Sequence, residues 1–119
     1  MSIELYGYTS CSSCRKADAA LKECGADYVY RDYFRHRFSQ AELAALLERA
    51  RLTPRDVLSR RSKIYHMRKA DIDKLDDDGL LQLMVEEPTL LRRPIVIWND
   101  DVLIGHDAGR LAALVQRVE

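Results

Sequence analysis

"IELYGYTSCSSCRKADAALKECGADYVYRDY", residues 3–33, decides the fold. Its first six residues alternate apolar and polar and run into small polar residues, the pattern of a strand over 3–8. Ala17, Ala20, Leu21 and Cys24 then recur at helical spacing, which predicts a helix over 12–24 that Gly25 ends. "DYVYRDY" (27–33) is rich in β-branched and aromatic residues and reads as a second strand. Strand, helix and strand in succession make a crossover between parallel strands.

Working outward, "SQAELAALLERA" (39–50) carries a capping box, Ser39 with Glu42, and then Leu43, Leu46, Leu47 and Ala50 on one face. Thr53 followed by Pro54 marks a further helix start. "DDDGLLQLMVEE" (76–87) predicts a short helix with acids at its N-terminal end and Pro88 beyond it. "PIVIWNDDVLIG" (94–105) reads as a β-hairpin turning at Asn99 and Asp100, and "DAGRLAALVQRV" (107–118) as a closing amphipathic helix. The order β-α-β, several helices, then β-β-α predicts an α/β, thioredoxin-like fold around one mixed sheet. The helices of about 39–91 are then an insertion between the two halves of a single domain spanning 1–119.

Composition agrees with one soluble domain: 119 residues, 47% hydrophobic and 32% charged. The longest apolar runs are far short of a membrane span, and no secretory signal opens the chain, so no membrane association and a cytoplasmic location are expected. A net charge of zero argues against direct binding of nucleic acid backbone. The charges are nevertheless segregated. Residues 49–69 hold eight Lys and Arg against Asp56, and residues 71–87 hold seven acids against Lys74. Two solvated helical faces that partly pair account for this; a local positive field that draws in anions is the alternative.

The chemistry rests on Cys11 and Cys14. Three cysteines make an odd count, which disfavours a structural disulfide framework. With Cys11 at the start of the first helix, its sulfur faces unpaired N–H groups and the positive end of the helix dipole, both favouring a thiolate. Cys14 lies within one turn of it, and Arg15 and Lys16 add positive charge. Such a pair is a redox centre, part of a metal site, or two buried thiols. Zinc needs two further ligands, yet Cys24 lies about 15 Å along the helix axis, and His36, His66 and His106 are scattered singly. Ser10, Ser12 and Ser13 make the surroundings polar rather than core-like. Redox chemistry is the reading these observations favour, with no metal. Cys24 reads as a small core residue, a resolving role being the other option. Pro94 heads the third strand, where a thioredoxin fold carries a cis proline, and Arg93 before it would then project toward Cys11 to grip an anionic group; a pair of surface cations at a loop end, Arg92 and Arg93, is the equal alternative.

"CSSCRKA" (11–17), "SRRSKIY" (59–65), "LLRRPIVI" (90–97) and "LIGHD" (103–107) resemble, in order and spacing, the ArsC/Spx family of thioredoxin-fold arsenate reductases, thiol reductases and Spx-type redox-sensing regulators. The resemblance implies that Cys11 attacks arsenate and that Arg93 and Arg15 bind the oxyanion next to Pro94. A middle arginine falls at Arg60 or Arg61, with Ser59 as another claimant to its slot. The third arginine of the glutaredoxin-linked reductases is replaced by Gly105 and His106. That leaves open a version in which Cys14, rather than glutathione, resolves the adduct and thioredoxin recycles the disulfide; resolution by an external thiol, with electrons from glutathione and glutaredoxin, is the other route. No metal or organic cofactor is implied. In the Spx branch the same cysteines form a disulfide switch and the partner is the RNA polymerase α-subunit. A glutathione-dependent thiol reductase is a third option. An arsenate reductase-type enzyme is the first expectation and the regulator the second.

Overall fold

The computed structural model describes residues 3–105 and 107–118. The chain runs β1 (Ile3–Gly7), α1 (Ser12–Glu23), β2 (Tyr28–Asp32), α2 (Gln40–Arg49), a 3-10 turn (Pro54–Val57), α3 (Lys63–Met67) and α4 (Lys69–Asp73). It continues with α5 (Asp77–Glu86), a second 3-10 turn (Pro88–Leu90), β3 (Ile95–Trp98), β4 (Asp101–Ile104) and α6 (Ala108–Val118). It divides into two compact units, Met1–His36 with Arg93–Glu119, and Arg37–Arg92.

The first unit is the predicted α/β, thioredoxin-like half-and-half: one four-stranded sheet in the order β2-β1-β3-β4. β1 and β2 are parallel, joined by α1, while β3 runs antiparallel to both β1 and β4. Alternation sets the faces of β1: Ile3, Leu5 and Gly7 are buried while Glu4 and Tyr6 are half-buried. Ile3 and Leu5 pack with Ala17 and Leu21 of α1, Val96 of β3, Leu103 of β4 and Leu114 of α6. α1 ends where the sequence predicts, with Cys24 at its C-cap and Gly25 at φ +71°, a conformation in which a Cβ is strained. The hairpin turns at Asn99 and Asp100, pairing Trp98 with Asp101, and Asn99 takes φ +55°. Arg117 of α6 ties back to this hairpin, 2.5 Å from Asp101 and 5.1 Å from the Trp98 ring centroid.

The second unit is helical. Ser39 caps α2 through the predicted box: Glu42 N–H donates to Ser39 Oγ (3.1 Å), and Ser39 N–H donates to Glu42 Oε1 (3.0 Å). The leucine stripe of α2 (Leu43, Leu46, Leu47) and that of α5 (Leu80, Leu81, Leu83, Met84) are buried, and the two helices pack on each other. The helix start at Thr53-Pro54 yields only a 3-10 turn. Thr53 and Asp56 cap it properly, but Leu58 turns extended and bridges Leu91 instead of continuing the helix. α3 and α4, five residues each, carry no marked periodicity in the sequence and are separated by Arg68 at φ −123°, ψ 24°. Part of the charge segregation resolves here: Lys69 pairs with Asp73 at 2.9 Å, and Arg55 donates to the Ile72 and Leu75 carbonyls at the end of α4. No helix among the described residues is long and apolar enough to cross a membrane.

Candidate functional site

The two cysteines are where strand and helix meet. β1 ends at Gly7, the Tyr8–Cys11 segment turns with Cys11 N–H donating to the Tyr8 carbonyl (2.9 Å), and the Cys11 carbonyl accepts from Arg15 N–H (3.0 Å). Cys11 is therefore the N-cap of α1, in extended conformation at φ −83°, ψ 127°. The N–H groups of Ser13 and Cys14 point at its sulfur and act on it electrostatically without closing a hydrogen bond of cap geometry. Cys14 lies one turn along, fully buried, and its Sγ accepts from Tyr8 N–H at 3.4 Å. Gly7 makes this burial possible: a Cβ on it would come within 2.7 Å of Cys14 Sγ. Both cysteines are free thiols, as is Cys24, which donates to the Leu21 carbonyl at 3.3 Å.

The loop before Cys11 is fastened by Asp32, at the end of β2. One Asp32 carboxylate oxygen accepts from Thr9 N–H (3.3 Å) and Thr9 Oγ1 (3.0 Å); the other accepts from Phe34 N–H (2.9 Å) and Arg35 N–H (3.2 Å). Burial disfavours the charge, but these donors outweigh it and hold the Asp32 carboxyl below the usual range. The segment after Asp32 then supplies the wall around Arg93. The Phe34 ring lies 4.1 Å from that of Tyr8 and 5.2 Å from that of Tyr33, and the Arg93 guanidinium lies 5.6 Å from the Phe34 centroid. The Arg93–Pro94 bond is cis, and the Pro94 carbonyl accepts from Gly105 N–H at 2.8 Å. Arg93 reaches both the Cys11 sulfur and the Tyr33 hydroxyl, while its Nε is buried and has no hydrogen-bond partner among the described residues.

These surroundings separate the two thiols. Burial pushes Cys11 up, but the Cys14 N–H, the Cys14 thiol, Arg93 and the Ser13 N–H overcome it, and the net direction is down from 9.0. Burial dominates at Cys14; the Tyr8 N–H opposes it, Cys11 adds to it, and the thiol is pushed up to about 12. The pair is therefore split: Cys11 is the more acidic sulfur, favoured as thiolate by its donors, and Cys14 stays protonated beside it. Burial also raises the Tyr33 phenol, against the pull of Arg93, so it stays protonated.

Of the residues the sequence singles out, Cys11, Cys14, Arg93 and Pro94 come together in the first unit. Arg15 belongs to the same turn, but its side chain is exposed and donates to the Ser10 carbonyl at 3.3 Å. Arg60 and Arg61 are exposed residues of the second unit, Arg60 lying 5.9 Å from the Tyr65 ring centroid. Ser62 of the same motif caps α3 and bonds the Thr89 hydroxyl at 3.0 Å. His106, expected beside Gly105 in place of an arginine, lies outside the described residues. Gly7, Asp32, Tyr33 and Phe34 escape a reading by motif. The signal that would have found three of them is topological: in parallel strands joined by a helix, the residues just past both C-terminal ends meet at one site. Ser13, Ala17, Pro94, Leu103, Gly105 and Leu111 line a shallow groove beside the start of α1. No group of three or more metal-ligating side chains occurs among the described residues.

The family model for the ArsC family matches residues 6–114. Regulatory protein MgsR of Bacillus subtilis is 31% identical over 115 residues, covering 97% of this chain and 91% of its own. Global transcriptional regulator Spx 1 of Lactococcus lactis is 33% identical over 115 residues, covering 97% and 90%. Among solved structures, an arsenate reductase from Vibrio cholerae superposes with a TM-score of 0.78 at 28% identity, covering 100% of this chain and 98% of that one. With an acidified cysteine at a helix mouth, a cis proline opposite and matches spanning nearly the whole sequence, the chain belongs to the ArsC family.

Proposed function

We propose that the protein is a thiol oxidoreductase of the arsenate reductase type, in which Cys11 attacks the oxyanion and Cys14 resolves the adduct. The observation that carries this reading is the acidified Cys11 sulfur held against Arg93, whose Nε is a donor without an acceptor among the described residues. A tetrahedral oxyanion approaching that sulfur meets the guanidinium and the N–H groups of the first helical turn. Cys11 thiolate displaces one oxygen of arsenate as water and forms a sulfur–arsenic bond. Cys14 then gives up its proton and its thiolate attacks Cys11 Sγ. The S–S bond forms as the S–As bond breaks, the electron pair stays on arsenic, and arsenite departs. Two thiols are oxidised while arsenic(V) becomes arsenic(III). The elevated resting pKa of Cys14 suits this order, because its two Cys11 contributions vanish once the Cys11 charge is tied up in the adduct. Thioredoxin, or glutathione with glutaredoxin, restores the thiols. On this reading the chain acts as one thioredoxin-like domain, and Arg15, Arg60 and Arg61 are further candidate contacts for the anion.

The test is arsenate turnover coupled to each reductant. Cys11→Ser should abolish turnover in a folded protein, and activity surviving that change refutes the scheme. Cys14→Ser should abolish the thioredoxin-coupled reaction; undiminished turnover removes Cys14 from the resolving step. Arg93→Ala should raise the arsenate KM strongly.

The near full-length similarity to MgsR and Spx supports a second reading, a redox-sensing regulator that uses the same pair as a disulfide switch and binds the RNA polymerase α-subunit. Retention of that subunit in only one oxidation state, with no arsenate turnover, would replace the enzyme reading. Deglutathionylation without arsenate turnover would instead identify a general thiol reductase.

A further inference from the structure

Cys14 is fully buried, and one polar group near it has no role in the scheme above. A Cβ placed on Gly7 would lie 2.7 Å from Cys14 Sγ and 3.6 Å from the Tyr30 hydroxyl, so both atoms border the same point of β1. The Tyr30 hydroxyl is shielded from solvent and has no hydrogen-bond partner among the described residues. That is unusual for a phenol, whose polar tip normally finds an acceptor when buried. Tyr28, two residues earlier on the same face of β2, follows the rule and donates to Asp18 at 2.5 Å. Burial, then the charges of Cys14, Asp32, Asp18 and Cys11, push the Tyr30 phenol up to about 12, so it carries its proton at neutral pH.

We propose that Tyr30 is the hydrogen-bond donor for the resolving thiolate: its hydroxyl, idle in the resting state, turns to the Cys14 sulfur as that sulfur ionises. The inference rests on the disulfide-forming reading of the pair. When Cys11 carries a leaving group through sulfur, Cys14 loses its proton to solvent and attacks Cys11 Sγ. The new S–S bond forms, the bond to the leaving group breaks, and the electron pair departs with that group. Tyr30 keeps its proton throughout and lowers the cost of the charge on Cys14.

The probe is the aromatic disulfide of thionitrobenzoate, applied to the full chain in a Cys24→Ser background. Cys11 attack releases a first equivalent of coloured thiolate in a bimolecular phase, and Cys14 attack on the mixed disulfide releases a second in a unimolecular phase. Tyr30→Phe should slow the second phase roughly tenfold, the scale of one hydrogen bond to a charged sulfur, and leave the first unchanged. Tyr28→Phe should leave both phases unchanged. Equal second-phase rates in parent and Tyr30→Phe overturn the assignment alone, as does equal slowing of both phases or an equal effect of Tyr28→Phe. A parent protein that never releases the second equivalent overturns the disulfide reading and the Tyr30 role together.

Discussion

Gly7→Ala makes the sharpest demand on this architecture. Gly7 ends β1 and faces the first turn of α1, where an added methyl would meet Cys14 Sγ at 2.7 Å and Cys14 Cβ at 3.1 Å. Real Cβ atoms do not approach sulfur so closely, and cysteine has a single side-chain torsion with which to retreat. Rotation moves only the sulfur; the contact with Cβ persists, so helix and strand must part. Overpacking of this kind costs about 1–3 kcal/mol. At roughly 4 °C per kcal/mol for a chain of this size, the melting temperature should fall by about 4–12 °C. Gly25→Ala is the natural contrast: nothing lies within 4 Å of its added methyl, and its penalty comes from φ +71° alone, costing about 1 kcal/mol. Combining Gly7→Ala with Cys14→Ala removes the sulfur and should recover part of the loss, giving a coupling energy of at least about 0.5 kcal/mol in a double-mutant cycle followed by urea unfolding. A Gly7→Ala protein that melts with the parent, or a strictly additive cycle, refutes the close approach of β1 to Cys14.

Three further outcomes are expected. Alkylation of Cys11 against pH, in a Cys24→Ser protein, should show a midpoint below the ordinary thiol value of 9.0, and Arg93→Ala should move it up; an unmoved midpoint removes Arg93 from the thiolate's partners. Asp32 is held below its unfolded value, so its contribution is present in full above the unfolded pKa and is lost as the pH falls through the lower folded one. Asp32→Ala should therefore cost about 1–3 kcal/mol near neutrality, with the gap to the parent narrowing in acid; denaturant titrations at the two pH values measure it, and a constant gap contradicts it. Ser39→Ala should cost about 1 kcal/mol through the lost capping box and Ser39→Asp only a fraction of that, as read from urea midpoints.

The sequence by itself determined every element long enough to express a period. α1, α2, α5 and α6 and all four strands lie within a residue or two of their predicted spans, because local apolar spacing, capping boxes and Gly25 act within a few residues. It also placed Cys11 and Cys14 on one turn at a helix mouth, since that follows from chain order alone. Tertiary structure decided the rest. α3 and α4 are too short for a period to show, and the turn at Pro54 stops because Leu58 pairs with Leu91, a partner invisible at Thr53. The different fates of the two thiols, the Asp32 clamp on Thr9 and the Tyr30 hydroxyl beside Cys14 depend on side chains distant in sequence. The parallel pairing of β1 with β2 and the antiparallel pairing of β1 with β3 bring those side chains to one end of the sheet. Burial and charge are properties of that assembled neighbourhood, and no single stretch of chain carries them.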